Sequence, residues 1–514
     1  MSDDAATPPG PAPDVPAGSQ APSPTTAPVR RRQRGPASRR AGAKAPVPPA
    51  PVVAPPAPGL STLQKVGAVL AVVALLVPIL VDVPGLEAPG ERMLGIFLMA
   101  IVLWLTAPVP LFATAILIIL LEVLLISDQA LLAVGEDAPA YAEFFGTLAN
   151  PTIILFLGGF MIADAAAKYD IDKAIAARVL RPFGTVRGVV FALMLISTVL
   201  SMFVSNTATT ATMFAVVLPV LKLMPSARAK AGLALSIPVG ANIGGMGTPV
   251  GSPPNAIAIA ALAEHGIDIS FVQWMAAAAL PVIILIVFAY LFLTVRYLPK
   301  GTPVELDLTA RFATERKAVT FYVIAGLTIV LWLTEPFHGI SSNVVGFFPV
   351  VALILTGVMT GKDVSALDWP VLWLVAGGIA LGSGVGKSGL DAYLIGLVDW
   401  GNLSEFMLVL GLGIATLLMA NVISHTATTN LLAPLAITIA MSAGADASVV
   451  AVVVALAAGA GMSMPISTPP NAIAYSTGVV DTKEMAIVGV AVGLLSIPVV
   501  MVVMPWIWRA TGIL

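Results

Sequence analysis

Two short polar tripeptides interrupt apolar stretches of this sequence: Ser-Asn-Thr at 205–207 and Ser-His-Thr at 424–426. The apolar segments beside each one are too short to be independent membrane crossings, which need about 20 residues. We therefore predict two re-entrant helical hairpins, at about 187–224 and 404–443. Helix amino ends at such tips favour an anion and carbonyl ends favour a cation, so the hydroxyls and amides there could bind a carboxylate or Na⁺. The alternative is that these groups only cap helices or join neighbouring helices.

Two proline-containing segments follow the tripeptides, Gly-Ser-Pro-Pro-Asn-Ala-Ile-Ala at 251–258 and Ser-Thr-Pro-Pro-Asn-Ala-Ile-Ala at 467–474. Proline cannot continue a helix through its own position, because it lacks the N–H group and clashes with the preceding turn. We therefore predict two broken helices, at about 230–264 and 447–478. Backbone groups freed inside hydrocarbon need partners, so each break must face protein or a wet cavity. Two breaks at matching positions favour a binding site over a simple kink.

The two halves of the chain, 61–300 and 301–514, repeat each other. Pro151 matches Pro370, and the two tripeptides match at the same sequence separation, while the proline segments match at a slightly shorter one. Five predicted spans separate equivalent points, and an odd number turns the second copy upside down. The sequence therefore predicts an inverted-topology repeat. Two inverted copies can open one site to either side of a membrane in turn, which favours transport over duplication for stability alone.

The composition indicates that lipid is the solvent of this chain. Of its 514 residues 58% are hydrophobic and only 11% are charged, and the mean hydropathy is +0.96. These values predict an all-α membrane protein with about 11 transmembrane helices plus the two hairpins. The sequence has no cysteine and three scattered histidines. Its apolar spans contain no paired carboxylates, metal-ligand cluster or nucleophile–base arrangement, so neither an enzyme, a cofactor nor a nucleic-acid partner is indicated.

The charges along the chain predict its orientation. Residues 1–60 are rich in proline and alanine with a basic cluster, and we predict a disordered cytoplasmic tail. The cluster either attracts anionic lipid headgroups or only fixes the topology. Five Lys and Arg residues between 168 and 187 predict an inside loop, whereas 127–145 is acidic and predicted outside. We therefore expect a multi-pass protein of the cell inner (plasma) membrane.

The paired tripeptides and proline segments together resemble the divalent anion/sodium symporter family. The resemblance covers about Leu60 to Leu514. It implies a homodimer whose protomers each have a scaffold domain and an elevator-type transport domain. It also implies secondary active transport of small dicarboxylate anions of the succinate, malate, fumarate and 2-oxoglutarate class, coupled to Na⁺. Dicarboxylate exchange without net Na⁺ coupling and sulfate transport are the alternatives.

The resemblance also implies which residues form the sites. Those that would contact substrate come from both repeats: Asn206, Thr207, Ser252, Pro253, Ser424, His425, Thr426, Thr468 and Pro469. Those of a first Na⁺ site come from the first repeat alone: Ser201, Ser205, Asn206 and Gly251.

The second repeat departs from the sodium-coupled pattern of the family. His425 stands where asparagine is usual, and Ala420 stands where a hydroxyl residue is usual. A second Na⁺ site at His425 and Ser467 is therefore in question. The imidazole could replace the ion as a fixed charge in an exchanger, titrate and couple transport to protons, or coordinate a cation through a neutral ring nitrogen.

Overall fold

The computed structural model describes residues 60–135, 138–222, 224–304, 310–397 and 403–514. Of the predicted tail only Leu60 is among them, and two acids of the predicted outside loop, Glu136 and Asp137, also lie outside the described residues. Over these ranges the chain is helical, with a single isolated β-bridge between Thr185 and Pro303.

The helices of the first half follow one another from the first apolar run to Arg296. They are α1 Thr62–Leu80, α2 Ala88–Thr106, α3 Leu111–Leu125, α4 Tyr141–Gly146, α5 Pro151–Lys168, α6 Ile171–Leu180, α7 Val186–Ser201, α8 Asn206–Lys222, α9 Ala227–Gly245, α10 Pro253–Ala263 and α11 Phe271–Arg296, with a 3₁₀ turn at Thr147–Ala149.

The helices of the second half run from Arg316 to Thr511. They are α12 Arg316–Leu333, α13 Glu335–His338, α14 Ser342–Leu355, α15 Gly361–Ser365, α16 Trp369–Lys387, α17 Leu390–Gly396, α18 Glu405–Val422, α19 His425–Ser442, α20 Ala447–Ala460, α21 Pro469–Ser476, α22 Thr482–Ser496 and α23 Met504–Thr511, with a π-helical stretch at Ile497–Val503 between the last two.

Eight helices among the described residues are long and apolar enough to cross a membrane. Seven of them coincide with predicted spans, and the eighth, α18, is an arm of a predicted hairpin. Two further predicted spans correspond to the shorter apolar helices α3 and α14, and two more are interrupted. An all-helical, multi-pass architecture is therefore confirmed, while the number of eleven spans stays a prediction.

Both predicted hairpins are pairs of helices joined by very short turns. In the first, α7 ends at Ser201 and α8 begins at Asn206; in the second, α18 ends at Val422 and α19 begins at His425. Ser424 caps α19, since its side chain accepts a hydrogen bond from the backbone N–H of Ala427. The tripeptides therefore lie at the amino ends of the returning helices. Whether the hairpins are re-entrant in a membrane stays a prediction.

The two proline segments begin new helices after a break. Helix α9 ends at Gly245 and α10 begins at Pro253, while α20 ends at Ala460 and α21 begins at Pro469. Proline is tolerated at the first helical position, because its missing N–H would have no intrahelical partner there. The two positions where the sequence predicted a break are thus non-helical loops, at 246–252 and 461–468.

The repeat-related helices α5 and α16 pack against elements of the opposite half. Helix α5 lies on α14, where Gly158 meets the backbone of Gly346, and α16 lies on α3, where Gly377 meets Ala115. A side chain at either glycine would overlap the facing helix, so glycine at these positions allows the two helices of each pair to pack closely. We call these two contacts, α5 with α14 and α16 with α3, the seams. The pairing is reciprocal: each half supplies the partner that the other half needs.

Two ion pairs show how α5 and α16 are oriented. Lys168 at the end of α5 pairs with Asp363, which lies just before α16, at 2.7 Å. Lys387 at the end of α16 pairs with Glu143, which lies just before α5. Each helix therefore ends where the other begins, so the two run antiparallel. This is the relation that an inverted-topology repeat predicts.

Short helices α6 and α17 were not anticipated by the sequence analysis, which placed a loop after the fourth span. In α6, Ile171, Ala174, Ala177 and Leu180 are buried at every third position. Four buried positions in so short a segment give only a weak helical periodicity of hydrophobic residues. The basic residues between and beside them favoured the prediction of a loop instead.

Candidate functional site

A cavity of about 120 Å³ lies where both hairpin tips meet both interrupted helices. Every one of the nine residues predicted to contact substrate lines it. Its described lining is Phe156, Phe160, Ser205, Asn206, Thr207, Val250, Gly251, Ser252, Pro253, Asp368, Val371, Ser424, His425, Thr426, Ser467, Thr468, Pro469 and Pro470. The two halves of the chain therefore contribute equivalent segments to one cavity.

Four helix amino ends converge on this cavity. They are the starts of α8, α10, α19 and α21, which begin at Asn206, Pro253, His425 and Pro469. Each amino end carries about half a positive charge, although the first two residues of α10 and of α21 are prolines and have no N–H group. No Lys or Arg is among the described lining residues. An anion bound here would be stabilised by helix ends, hydroxyls and side-chain amides rather than by a basic side chain.

The helix carboxyl ends form a different environment beside the first tip. The carbonyl oxygens of Gly245 and Ser201 lie 2.7 Å and 3.1 Å from the place that a Cβ atom on Gly251 would take. These are the last residues of α9 and α7, where backbone carbonyls lack intrahelical partners. Ser201 Oγ also donates a hydrogen bond to Asn206 Oδ1. Neutral oxygens therefore cluster here, as a hard cation such as Na⁺ requires.

The predicted first Na⁺ residues are accordingly brought together. Ser205, Asn206 and Gly251 line the cavity, and Ser201 lies just behind it, bonded to Asn206. Gly245, which the sequence analysis did not single out, completes the cluster. A Cβ atom on Gly245 would lie 2.6 Å from Asn206 Oδ1, so a side chain at this position would displace the amide.

A histidine occupies the equivalent position beside the second tip. His425 Nε2 lies 3.0 Å from the carbonyl oxygen of Gly461, the first residue after α20. A carbonyl only accepts, so Nε2 carries the proton in this contact. The backbone N–H of His425 donates to Ser467 O at 3.4 Å. Ala420 is the repeat counterpart of Ser201. Its Cβ atom lies 2.6 Å from the position that a Cβ atom on Gly461 would occupy.

Two asparagines whose roles the sequence analysis left open hold the interrupted segments in shape. Asn255 donates from Nδ2 to the carbonyls of Gly245 (2.8 Å) and Thr248 (2.7 Å). Asn471, its repeat counterpart, donates to the carbonyls of Met462 (2.8 Å) and Met464 (3.0 Å). Both are buried, and each pairs loop carbonyls that would otherwise be costly in an apolar setting. Their signal was the identical Pro-Pro-Asn sequence.

Other contributions come from outside the motifs. Phe156 and Phe160 of α5 and Asp368 and Val371 at the start of α16 form one wall of the cavity. They are spread along ordinary apolar stretches, so nothing in their own sequence context marks them.

In the described part of the chain no group of three or more His, Asp or Glu side chains could hold a metal ion.

Comparisons with known proteins agree with this architecture. Residues 63–514 match the family described as "Sodium:sulfate symporter transmembrane region". The sodium-dependent dicarboxylate transporter SdcS of Staphylococcus saprophyticus is 29% identical over 484 residues, which cover 86% of this chain and 90% of that protein. The SdcS of Staphylococcus aureus strain MRSA252 is 29% identical over 490 residues, which cover 87% and 92%.

Two solved transporters share the fold at low sequence identity. The YdaH transporter of Alcanivorax borkumensis superposes with a TM-score of 0.53 at 14% identity, covering 78% of this chain and 98% of that one. MtrF of Neisseria gonorrhoeae gives 0.51 at 13% identity, covering 87% and 95%. With the family match over most of the chain, the resemblance predicted from the tripeptides and proline segments is confirmed. The chain belongs to the sodium:sulfate symporter family, the divalent anion/sodium symporters, and is a multi-pass membrane transporter rather than an enzyme.

Proposed function

We propose that this protein is a secondary active transporter that moves small dicarboxylate anions across the membrane together with Na⁺. The observation that carries the proposal is the cavity shared by both repeats, where four helix amino ends converge on one small space. Each repeat contributes one pair of amino ends, and each pair could bind one carboxylate of an anion that carries a carboxylate at either end. The names of the staphylococcal relatives support the same substrate class and the same coupling ion.

The coupling ion would bind beside the first tip. Ser201, Asn206 and Gly245 supply hydroxyl, amide and backbone oxygens close together around Gly251, next to the anion cavity. An ion there would offset part of the charge of the dianion, so each would favour binding of the other. Such mutual stabilisation is what couples the transport of an anion to a cation gradient.

At the second tip, His425 would take the place of a second Na⁺. Its Nε2–H already satisfies the Gly461 carbonyl, whose counterpart Gly245 belongs to the first cation cluster. The same nitrogen cannot coordinate a cation while it donates this hydrogen bond. Of the three roles open to the imidazole, a ring that replaces the ion therefore fits the contacts better than a ring that binds it. Fewer Na⁺ ions per anion would follow.

The remaining features of the proposal come from the family resemblance. They are alternating access by an elevator-type movement, a homodimer, and a plasma-membrane location with the amino terminus in the cytoplasm. The antiparallel relation of α5 and α16 supports an inverted repeat, and the inverted repeat supports alternating access.

The test is transport by the purified protein in proteoliposomes. We expect uptake of labelled succinate or malate that rises with an inward Na⁺ gradient and not with a matched K⁺ gradient. Uptake that needs internal dicarboxylate and ignores Na⁺ would show the exchanger instead. Stronger competition by sulfate than by malate would show a sulfate transporter, which the family description leaves open. Absence of uptake and exchange with every dicarboxylate would overturn the proposal.

A further inference from the structure

One acidic residue lines the cavity, and the proposed function does not use it. Asp368, just before α16, is the only acidic side chain among the described residues that line the cavity. Asp164 is on α5, whose Lys168 end meets the segment just before α16. Asp164 also follows Phe156 and Phe160 at intervals of four residues, so it continues along α5 the face that these two lining residues present. Asp164 therefore continues the lining face of α5 towards the end of the helix near which Asp368 lies.

The matching positions of the other repeat carry no charge. At the sequence separation that relates Pro151 to Pro370, Asp368 corresponds to Ala149 and Asp164 corresponds to Ser383. Ser383 lines a separate cavity of about 330 Å³, whose charged lining residues are Glu264, Lys387 and Asp391. The acid that lines the anion cavity therefore has no counterpart at the matching position of the other repeat.

The nearby basic residue does not cancel the charge. Lys168 lies one further turn along α5, but its ammonium group is paired with Asp363 at 2.7 Å and donates to Val358 O at 2.9 Å. Lys168 therefore does not neutralise Asp164 or Asp368, which lie towards the side that the basic loop after α5 predicts to be cytoplasmic.

We propose that Asp368, assisted by Asp164, is a specificity-determining residue that weakens the binding of dianions from the cytoplasmic mouth and rejects more highly charged anions. The inference rests on the proposed function. Repulsion between a carboxylate and a dianion raises the KM on the side that the carboxylate faces and speeds release there. It does not alter the final accumulation, which the ion gradients set.

The experiment compares the two faces of the transporter in proteoliposomes. One orientation is silenced by a membrane-impermeant thiol reagent at an introduced cysteine, since the chain has no cysteine of its own. For Asp368→Asn we expect the KM for succinate at the cytoplasmic face to fall about three- to tenfold, because an exposed carboxylate is screened over roughly 8 Å in physiological salt. The KM at the opposite face should not change, and citrate should become a better inhibitor from the cytoplasmic face.

Two matched variants sharpen the test. Ala149→Asp places a carboxylate at the corresponding point of the other repeat and should raise the KM at the opposite face only. Asp368→Glu keeps the charge and should keep the wild-type KM, which separates charge from loss of structure. Asp391→Asn removes an acid that lines only the larger cavity, so it should leave the cytoplasmic KM unchanged.

The outcomes separate this inference from the proposed function. If wild-type protein does not transport dicarboxylates, the proposed function fails and this inference fails with it. If wild type transports but Asp368→Asn leaves both KM values as they were, only the electrostatic role is wrong. If the variant changes the Na⁺ requirement and not the succinate KM, Asp368 binds a cation and the inference is overturned.

Discussion

The two halves of the site have the same backbone plan and different chemistry. Beside the first tip, the carboxyl ends of α7 and α9 surround Gly251 with carbonyl oxygens, and Ser201 and Asn206 add side-chain oxygens. Beside the second tip, the same kind of helix end meets the ring of His425, and Ala420 offers no hydroxyl. This comparison indicates that the repeated backbone determines where the helix ends meet. The two side chains at each tip, Ser201 and Asn206 or Ala420 and His425, determine which ion can bind between those ends.

The largest effect is expected at Asn206, which belongs to both the cation cluster and the anion cavity. Asn206→Ala should lower Na⁺-dependent succinate uptake by about tenfold to a hundredfold, since it removes amide contacts to charged species. Initial rates in proteoliposomes measure this. Thr209→Val, one turn further along α8 and outside the cavity lining, is the matched control and should keep most of the activity. Near-normal uptake by Asn206→Ala would remove the first tip from the site.

The difference between the two tips can be tested by giving the second tip the residues of the first. The double variant Ala420→Ser with His425→Asn should create a second cation position, so the Hill coefficient for Na⁺ should rise from about one towards two. A sodium titration of succinate uptake measures this. The single variant His425→Asn lacks the hydroxyl and should change the Na⁺ dependence less. An unchanged Hill coefficient in the double variant would mean that His425 does not stand in for an ion.

A second asymmetry between the repeats lies away from the site. Glu122 on α3 is fully buried against Gly384, and neither carboxylate oxygen has a hydrogen-bond partner among the described residues. The matching position of α14, by the pairing of Ala115 with Gly346, is Leu353, which is also buried. Glu122→Leu should therefore stabilise the protein by about 1–3 kcal/mol, by removing an unsatisfied group. A higher Tm in detergent checks this, with Leu353→Ala as a destabilising control. A lower Tm would show that the carboxyl has a partner in solution.

The smallest effect concerns the ion pairs at the ends of α5 and α16. The hydrogen bond with Lys168 holds the pKa of Asp363 well below its usual range, helped by the N–H and hydroxyl of Thr360, whereas Glu143 owes its lowered pKa mainly to Lys387. Both pKa values are lowered on folding, so the stabilisation is complete above the unfolded value of about 4 and lost as pH falls through the folded value.

Asp363→Asn should therefore lower the free energy of unfolding, and with it the Tm, more than Glu143→Gln at pH 7, each by less than about 1 kcal/mol. The effect of Asp363→Asn should also persist to lower pH. Thermal unfolding of both variants between neutral and acid pH measures this. Equal effects with equal pH dependence would show that the Thr360 contacts add nothing to the first pair.

Much of the site could be predicted from the sequence because its signals are local. Proline cannot continue a helix, and a polar tripeptide between short apolar arms predicts a turn, so the breaks before Pro253 and Pro469 and the tips at Asn206 and His425 were foreseen. The cavity wall at Phe156 could not be foreseen, because it depends on which face of α5 meets the tips. The contact of His425 with Gly461 likewise joins distant segments, and only the folded chain brings them together.

The reciprocal seams, α5 on α14 and α16 on α3, have a consequence for biosynthesis. Helix α5 leaves the ribosome well before α14 has been made, so it must wait in the bilayer without its final neighbour. Neither half holds both partners of these seams, and the last packing step comes only after both are inserted. The two halves, produced as separate polypeptides in one cell, are therefore expected to depend on each other to escape degradation.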